Sequence, residues 1–182
     1  MKLFRAVAAL ALGLSLSMGS AVAQEACPGG FSEQFRLRGQ VQTPKRFRFA
    51  DLQNRVSSRV SISFFAGGSG FNTRSYTGVP LIDLLNEAVV VTDPTRHNDI
   101  LRKYVVVRAT DCYEAVIAVA DLLPNFGHQQ VLIAYADGNG ESLGADEGMA
   151  RLIIVNDKQG GRLISNVNEI VVRSAPGGPL AE

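Results

Sequence analysis

The sequence predicts an α+β fold: one mixed-sheet domain with a few short helices. Two observations lead there. Short apolar stretches with period-2 alternation or β-branched character recur between residues 35 and 172, the pattern of half-buried or central strands. The stretches with helical spacing are brief and irregularly placed, so they cannot supply the repeated crossovers of a doubly wound parallel sheet.

Phe35, Leu37 and Val41 occupy odd positions with Arg36, Arg38, Gln40 and Gln42 between them, which predicts the first strand. Pro44 interrupts it. Phe47 and Phe49 alternate with Arg46 and Arg48 to give a second short strand, and residues 50–54 have the length of one helical turn. Val60 to Phe65 reads as a third strand. Residues 66–78 contain four glycines and predict a loop that needs permissive backbone. Pro80 suits a helix start, and Leu81, Leu84, Leu85 and Ala88 fall on one helical face, so 80–88 is a short amphipathic helix. Residues 92–99 form a polar connection. Tyr104 to Val107 is apolar and β-branched, a central strand. Residues 111–114 form a turn or strand junction. The ambiguous run 115–123 divides into a strand over 113–117 and a helix over 118–123. Val131 to Ala136, Arg151 to Val155 and Val167 to Val172 are the remaining strands, separated by the turn signals Asp137-Gly-Asn-Gly140 and Asn156 to Gly161.

An export signal precedes this fold. Lys2 and Arg5 start it, Ala6 to Met18 is apolar, and Ala21-Val22-Ala23 fits cleavage after Ala23. The apolar run is shorter than the roughly 20 residues a membrane-spanning helix needs. The expected organisation is therefore a signal peptide over 1–23, a loose arm over 24–34, a domain over 35–174 and a tail over 175–182. Cleavage removes two of the 18 basic residues and none of the 17 acidic ones, which leaves a net charge of −1. The leader predicts a periplasmic protein, not embedded in the membrane.

The chain contains no His-x-x-x-His, no Cys-x-x-Cys, no EF-hand loop and no Gly-x-Ser-x-Gly elbow. His97 and His128 are isolated in sequence. Gly67-Gly68-Ser69-Gly70 lacks the Lys-Ser/Thr of a phosphate-binding P-loop and the helix of a dinucleotide turn. Arg36, Arg38, Lys45, Arg46, Arg48, Arg55 and Arg59 form a basic cluster, which reads as a solvated edge-strand face or as a docking surface for an anion or acidic partner. Balanced overall charge argues against nucleic acid.

From Tyr76-Thr-Gly-Val-Pro-Leu-Ile-Asp-Leu-Leu85 the sequence resembles the oxidoreductase molybdopterin-binding domain family, the sulfite-oxidase-type fold, in a small stand-alone exported form. Phe35-Arg-Leu-Arg-Gly39, Phe49-Ala-Asp-Leu52, Ala109-Thr-Asp-Cys-Tyr-Glu-Ala115, Arg151-Leu-Ile-Ile-Val-Asn-Asp157, Gly160-Gly-Arg162 and Asn166-Val-Asn-Glu-Ile170 resemble further family segments in the same order. The resemblance implies molybdopterin as cofactor. It points to Arg74, Tyr76, Asp111, Tyr113, Arg151, Lys158 and Arg162 as cofactor-binding residues, gathered in one cleft from the 66–78 loop, 111–113 and 151–162. It also implies an oxidoreductase domain or a component of a redox system, with a small anionic ligand or a periplasmic redox protein as partner.

Two departures bear on the chemistry. The family places a molybdenum-ligating cysteine after the third strand; here Ser61-Ile-Ser-Phe-Phe-Ala-Gly67 has Phe in that place, and a phenyl ring cannot replace a thiolate. No thiolate-ligated molybdenum is therefore expected, and no residue receives a catalytic or metal-ligating role. The second departure is Cys112, where relatives usually have Gly. The missing cysteine keeps an alternative open, a non-catalytic module of the same fold that binds a small anion or a partner protein. In an oxidising compartment Cys27 and Cys112 are expected to pair and pin the arm; a reduced pair and an intermolecular link are the other outcomes.

Overall fold

The computed structural model describes residues 27–176, so the expected signal peptide and most of the expected tail lie outside the described residues. The α+β class holds, and the strands form two sheets. A five-stranded mixed sheet has the order β2-β1-β9-β5-β6 and comprises β1 (Gln34–Gly39), β2 (Lys45–Arg48), β5 (Lys103–Ala109), β6 (Glu114–Ala118) and β9 (Val167–Ser174). Its β1–β9 pair is parallel and its other pairs are antiparallel. An antiparallel sheet has the order β3-β4-β7-β8, with β3 (Ser58–Ala66), β4 (Gly70–Pro80), β7 (Val131–Asp137) and β8 (Arg151–Ile154).

The main core lies between the inner face of the first sheet and one face of the second. Phe35, Leu37, Val105, Val107, Ile170 and Val172 meet Ile133, Leu152 and Ile154 there. Their removal from water is the dominant favourable contribution to folding. A smaller core covers the other face of the second sheet, where Ile62, Phe64, Tyr76, Leu132 and Ile153 pack with Leu143 and Leu163. Strand β7 contributes to both cores, which is why Val-Leu-Ile-Ala-Tyr-Ala reads as a continuous apolar run.

The helices fill the ends of the main core. α2 (Leu81–Ala88) buries Leu81, Leu84, Leu85 and Ala88, and Pro80 stands immediately before it as N-cap rather than inside it. α1 (Phe49–Gln53) starts one residue earlier than expected: Phe49 belongs to the helix, because the Asp51 carboxylate accepts the Arg48 backbone N–H and caps its first turn. α3 (Val119–Leu122) follows β6, close to the predicted division of 113–123.

The 66–78 loop is corrected. Residues 70–80 form β4, the longest strand, paired with β3 over its outer half and with both β3 and β7 near its base. Only 67–69 remain a turn, closed by the Ser69 N–H to the Ala66 carbonyl, with Gly70 at φ +74°. Gly78 sits at a bulge where a Cβ would fall 2.5 Å from the Ala134 Cα, so backbone approach, not loop freedom, accounts for that glycine.

The described part of the N-terminal arm is held rather than loose. Cys27 and Cys112 form a disulfide, with their Cα atoms 5.4 Å apart. Gly29 donates to the Thr110 carbonyl, Thr110 Oγ1 donates to the Gly30 carbonyl, and Met149 donates to the Ser32 carbonyl.

Candidate functional site

The hairpin β3–β4, the loop 143–150, the turn 109–113 and the segment 160–166 meet around two adjoining cavities. One, of about 320 Å³, is lined by Phe64, Asn72, Arg74, Glu147 and Arg151 among others. The second, of about 210 Å³, is lined by Thr110, Asp111, Tyr113, Leu163 and Asn166 among others. Asp146 and Ser165 line both, so the two are contiguous.

Glu147 organises the larger cavity. Its Oε1 accepts from the Tyr76 hydroxyl at 3.0 Å, stands 3.4 Å from Arg74 Nη1 and pairs with Arg151 Nη1. Arg151 also lies over the Tyr76 ring, 5.6 Å from its centroid. Burial raises the Tyr76 phenol above its ordinary range; the nearby Arg151 charge opposes this and the Glu147 charge adds to it. The phenol is therefore a neutral donor, fixed to a carboxylate. The loop geometry that presents Glu147 depends on Gly148, at φ +79°. A Cβ there would come within 2.6 Å of Asn166 Oδ1 and Ser32 Oγ. Asn166 ties the region together: its backbone N–H reaches the Glu147 carbonyl, its amide donates to the Asp146 carbonyl, and its Oδ1 accepts from the Ser32 N–H.

The residues expected at the site distribute unevenly. Arg74 and Arg151 line the larger cavity, with Tyr76 buried beneath them. Asp111 and Tyr113 line the smaller one. Asp111 Oδ1 accepts the Tyr113 N–H, which shapes the turn, and the Tyr113 hydroxyl donates to the Gly161 carbonyl at 2.6 Å. Lys158 and Arg162 line neither cavity. The Lys158 carbonyl accepts from the Phe65 N–H, and Arg162 makes a two-point ion pair with Asp157. Glu147, Asn166, Asp146 and Ser165 escaped the sequence reading. The available signal was the run Gly144-Ala-Asp-Glu-Gly-Met149, a glycine-flanked polar loop directly before a strand.

Chemically the larger cavity offers two guanidinium groups, from Arg74 and Arg151, beside the carboxylates of Asp146 and Glu147. Arg151 Nε is buried and has no hydrogen-bond partner among the described residues. This set fits a phosphate or another compact anion. It does not fit a protein-ligated metal: Phe64 lines the cavity, both cysteines are joined in the disulfide, and among the described residues no three His, Cys, Asp or Glu side chains are grouped to hold an ion.

Residues 32–178 match the family model described as the oxidoreductase molybdopterin binding domain. A search of curated proteins finds no match. Among solved structures, the chain is similar to the sulfane dehydrogenase SoxCD from Paracoccus pantotrophus, with a TM-score of 0.61 and 21% identity over 76% of this chain. The match spans 37% of that chain.

Proposed function

Since this chain belongs to the oxidoreductase molybdopterin-binding domain family, we propose that it holds a molybdopterin-type ligand by its anionic end in the Arg74–Arg151 cavity, as an exported component of a redox system. The observation that carries this reading is the convergence of the Arg74 and Arg151 guanidinium groups on one open cavity. In this reading Arg74, the more exposed of the two, meets the ligand first, and Arg151, held over the Tyr76 ring, fixes its orientation. Ser69, whose Oγ accepts from the Asn72 amide, keeps its hydroxyl proton as a neutral donor to the cavity. No electron-transfer step is assigned to the chain's own residues, because the cavity lacks a metal donor set. The apolar leader and the disulfide support an oxidising compartment such as the periplasm.

The test is extraction of pterin from protein purified from its native host, with elemental analysis of the same sample. Pterin co-purifying with the wild-type protein, and falling at least tenfold in Arg74→Ala, supports the reading. Protein that carries no pterin and acquires none when loaded refutes it.

A second reading, a non-catalytic module for a small inorganic anion, is favoured by Phe64, which lines the cavity where the family resemblance implies a thiolate ligand. Calorimetric titration with phosphate separates the two readings, since only the second expects saturable phosphate binding by a protein that takes up no pterin.

A further inference from the structure

The outer face of the five-stranded sheet gathers charge that is scattered through the sequence. The register aligns Arg46, Arg36, Glu169, Arg108 and Glu114 in one row across β2, β1, β9, β5 and β6. Arg48 and Arg38 share this face on β2 and β1, because Phe47, Phe35 and Leu37 alternate inward to the core. Arg173 stands opposite Tyr104 at the far end. Six arginines thus share a surface with two glutamates, whereas the rest of the chain has 12 basic residues against 15 acidic ones.

The face is preorganised. Glu169 is only 3% exposed, and Arg38 grips both its oxygens, at 2.5 and 2.9 Å. Arg36 and Arg108 approach to 3.6 and 3.9 Å. Burial acts to raise the Glu169 carboxyl, but the Arg38 hydrogen bonds and the charges of Arg38, Arg36 and Arg108 outweigh it and hold it below the ordinary range. Glu169 thus draws three guanidinium groups together, and Glu114 holds Arg108 more closely still. Beside this row runs an apolar strip, Val171, Val106 and Val116, cross-strand neighbours on the same face. Val171 and Val106 are buried yet belong to neither core, and Val116 is 55% exposed.

We propose that this sheet face docks a folded protein whose own patch is acidic around a small apolar centre. The exposed Val116, with Arg-rich surface beside it, matches the apolar contact and the Arg enrichment of protein interfaces. The local surplus of positive charge steers a carboxylate-rich surface toward it.

The experiment places a photocrosslinking p-benzoylphenylalanine at Val116 in the full chain, expressed in its native host, with Val56, 84% exposed and outside the sheets, as control position. Mass spectrometry identifies the product and the crosslinked segment. The expected product is a different protein with surplus Asp and Glu near the crosslink, formed from position 116 and not from 56. Its yield falls at least fivefold with Arg46→Glu and Arg173→Glu combined. Both side chains are exposed, and a thermal melt checks folding, with Arg46→Gln and Arg173→Gln as the milder pair if the first loses structure. No product at 116, a lipid adduct, a crosslink to a second copy of this chain, or a yield indifferent to the arginine substitutions would each overturn the proposal.

Discussion

Removing the Cys27–Cys112 bridge tests two contributions at once. The bridge closes a loop of 85 residues, for which the chain-entropy relation assigns about 4.5 kcal/mol of stability, as the constraint it places on the unfolded chain. Cys112 itself is held at φ +66°, a left-handed conformation that costs a residue with a Cβ about 1 kcal/mol. Replacing both cysteines by serine is expected to lose close to the full loop contribution, since a serine at position 112 inherits the same backbone. Cys27→Ser with Cys112→Gly should recover about 1 kcal/mol, because glycine accepts that φ without strain. Urea unfolding followed by circular dichroism measures both. With a slope of about 2 kcal/mol per molar, the double serine variant should unfold roughly 2 M earlier than the oxidised protein. A loss below about 1 kcal/mol would refute the assignment of stability to the cross-link and leave the arm's hydrogen bonds to Thr110, Asn166 and Met149 as the constraint. A glycine variant no more stable than the serine variant would refute backbone strain at position 112.

Glu147→Gln removes the carboxylate shared by Arg74 and Arg151; stability should fall by about 1–3 kcal/mol, while sulfate binding followed by calorimetry tightens, and unchanged sulfate affinity would count against an anion site there. Gly78→Ala forces a methyl group to within 2.5 Å of the Ala134 Cα, and thermal unfolding should show a loss of about 3 kcal/mol. The hydrogen bonds of Arg55 and Lys45 lower the Glu87 carboxyl from 4.5 to about 2. That depressed value adds stability above the ordinary carboxylate range, which disappears as pH falls toward 2. Glu87→Gln should therefore cost about 1 kcal/mol at neutral pH, after discounting for solvent screening, and its stability curve should meet the wild-type curve in acid.

Local pattern alone carried much of this fold. The alternation of Phe35 and Leu37 with arginines, the helical spacing of Leu81, Leu84, Leu85 and Ala88, and the turn at 137–140 are short-range features, and each marks an element in the structure. The α+β class follows from them, because they set how much of the chain can be strand or helix whatever the neighbours do. Cysteine count and the leader likewise suggested the bridge that the structure contains. Strand β4 was hidden because its outer half, Gly70 to Ser75, protrudes as a hairpin with little buried on either face, so no apolar periodicity marks it; its strand state comes from pairing with β3 and β7. Glu147 was hidden for a related reason: a carboxylate in a polar loop looks like any other until folding brings it against Tyr76, Arg74 and Arg151, each remote from it or on a different element. The arginine face shows the division plainly. Arg36, Arg38, Arg46 and Arg48 cluster in the sequence, but Arg108, Arg173 and the organising Glu169 join them only through the β1–β9–β5 register. Periodicity is written in neighbouring residues and can be read there, whereas register is selected by burying two complementary faces from distant parts of the chain, so only the folded protein determines which charges share a surface.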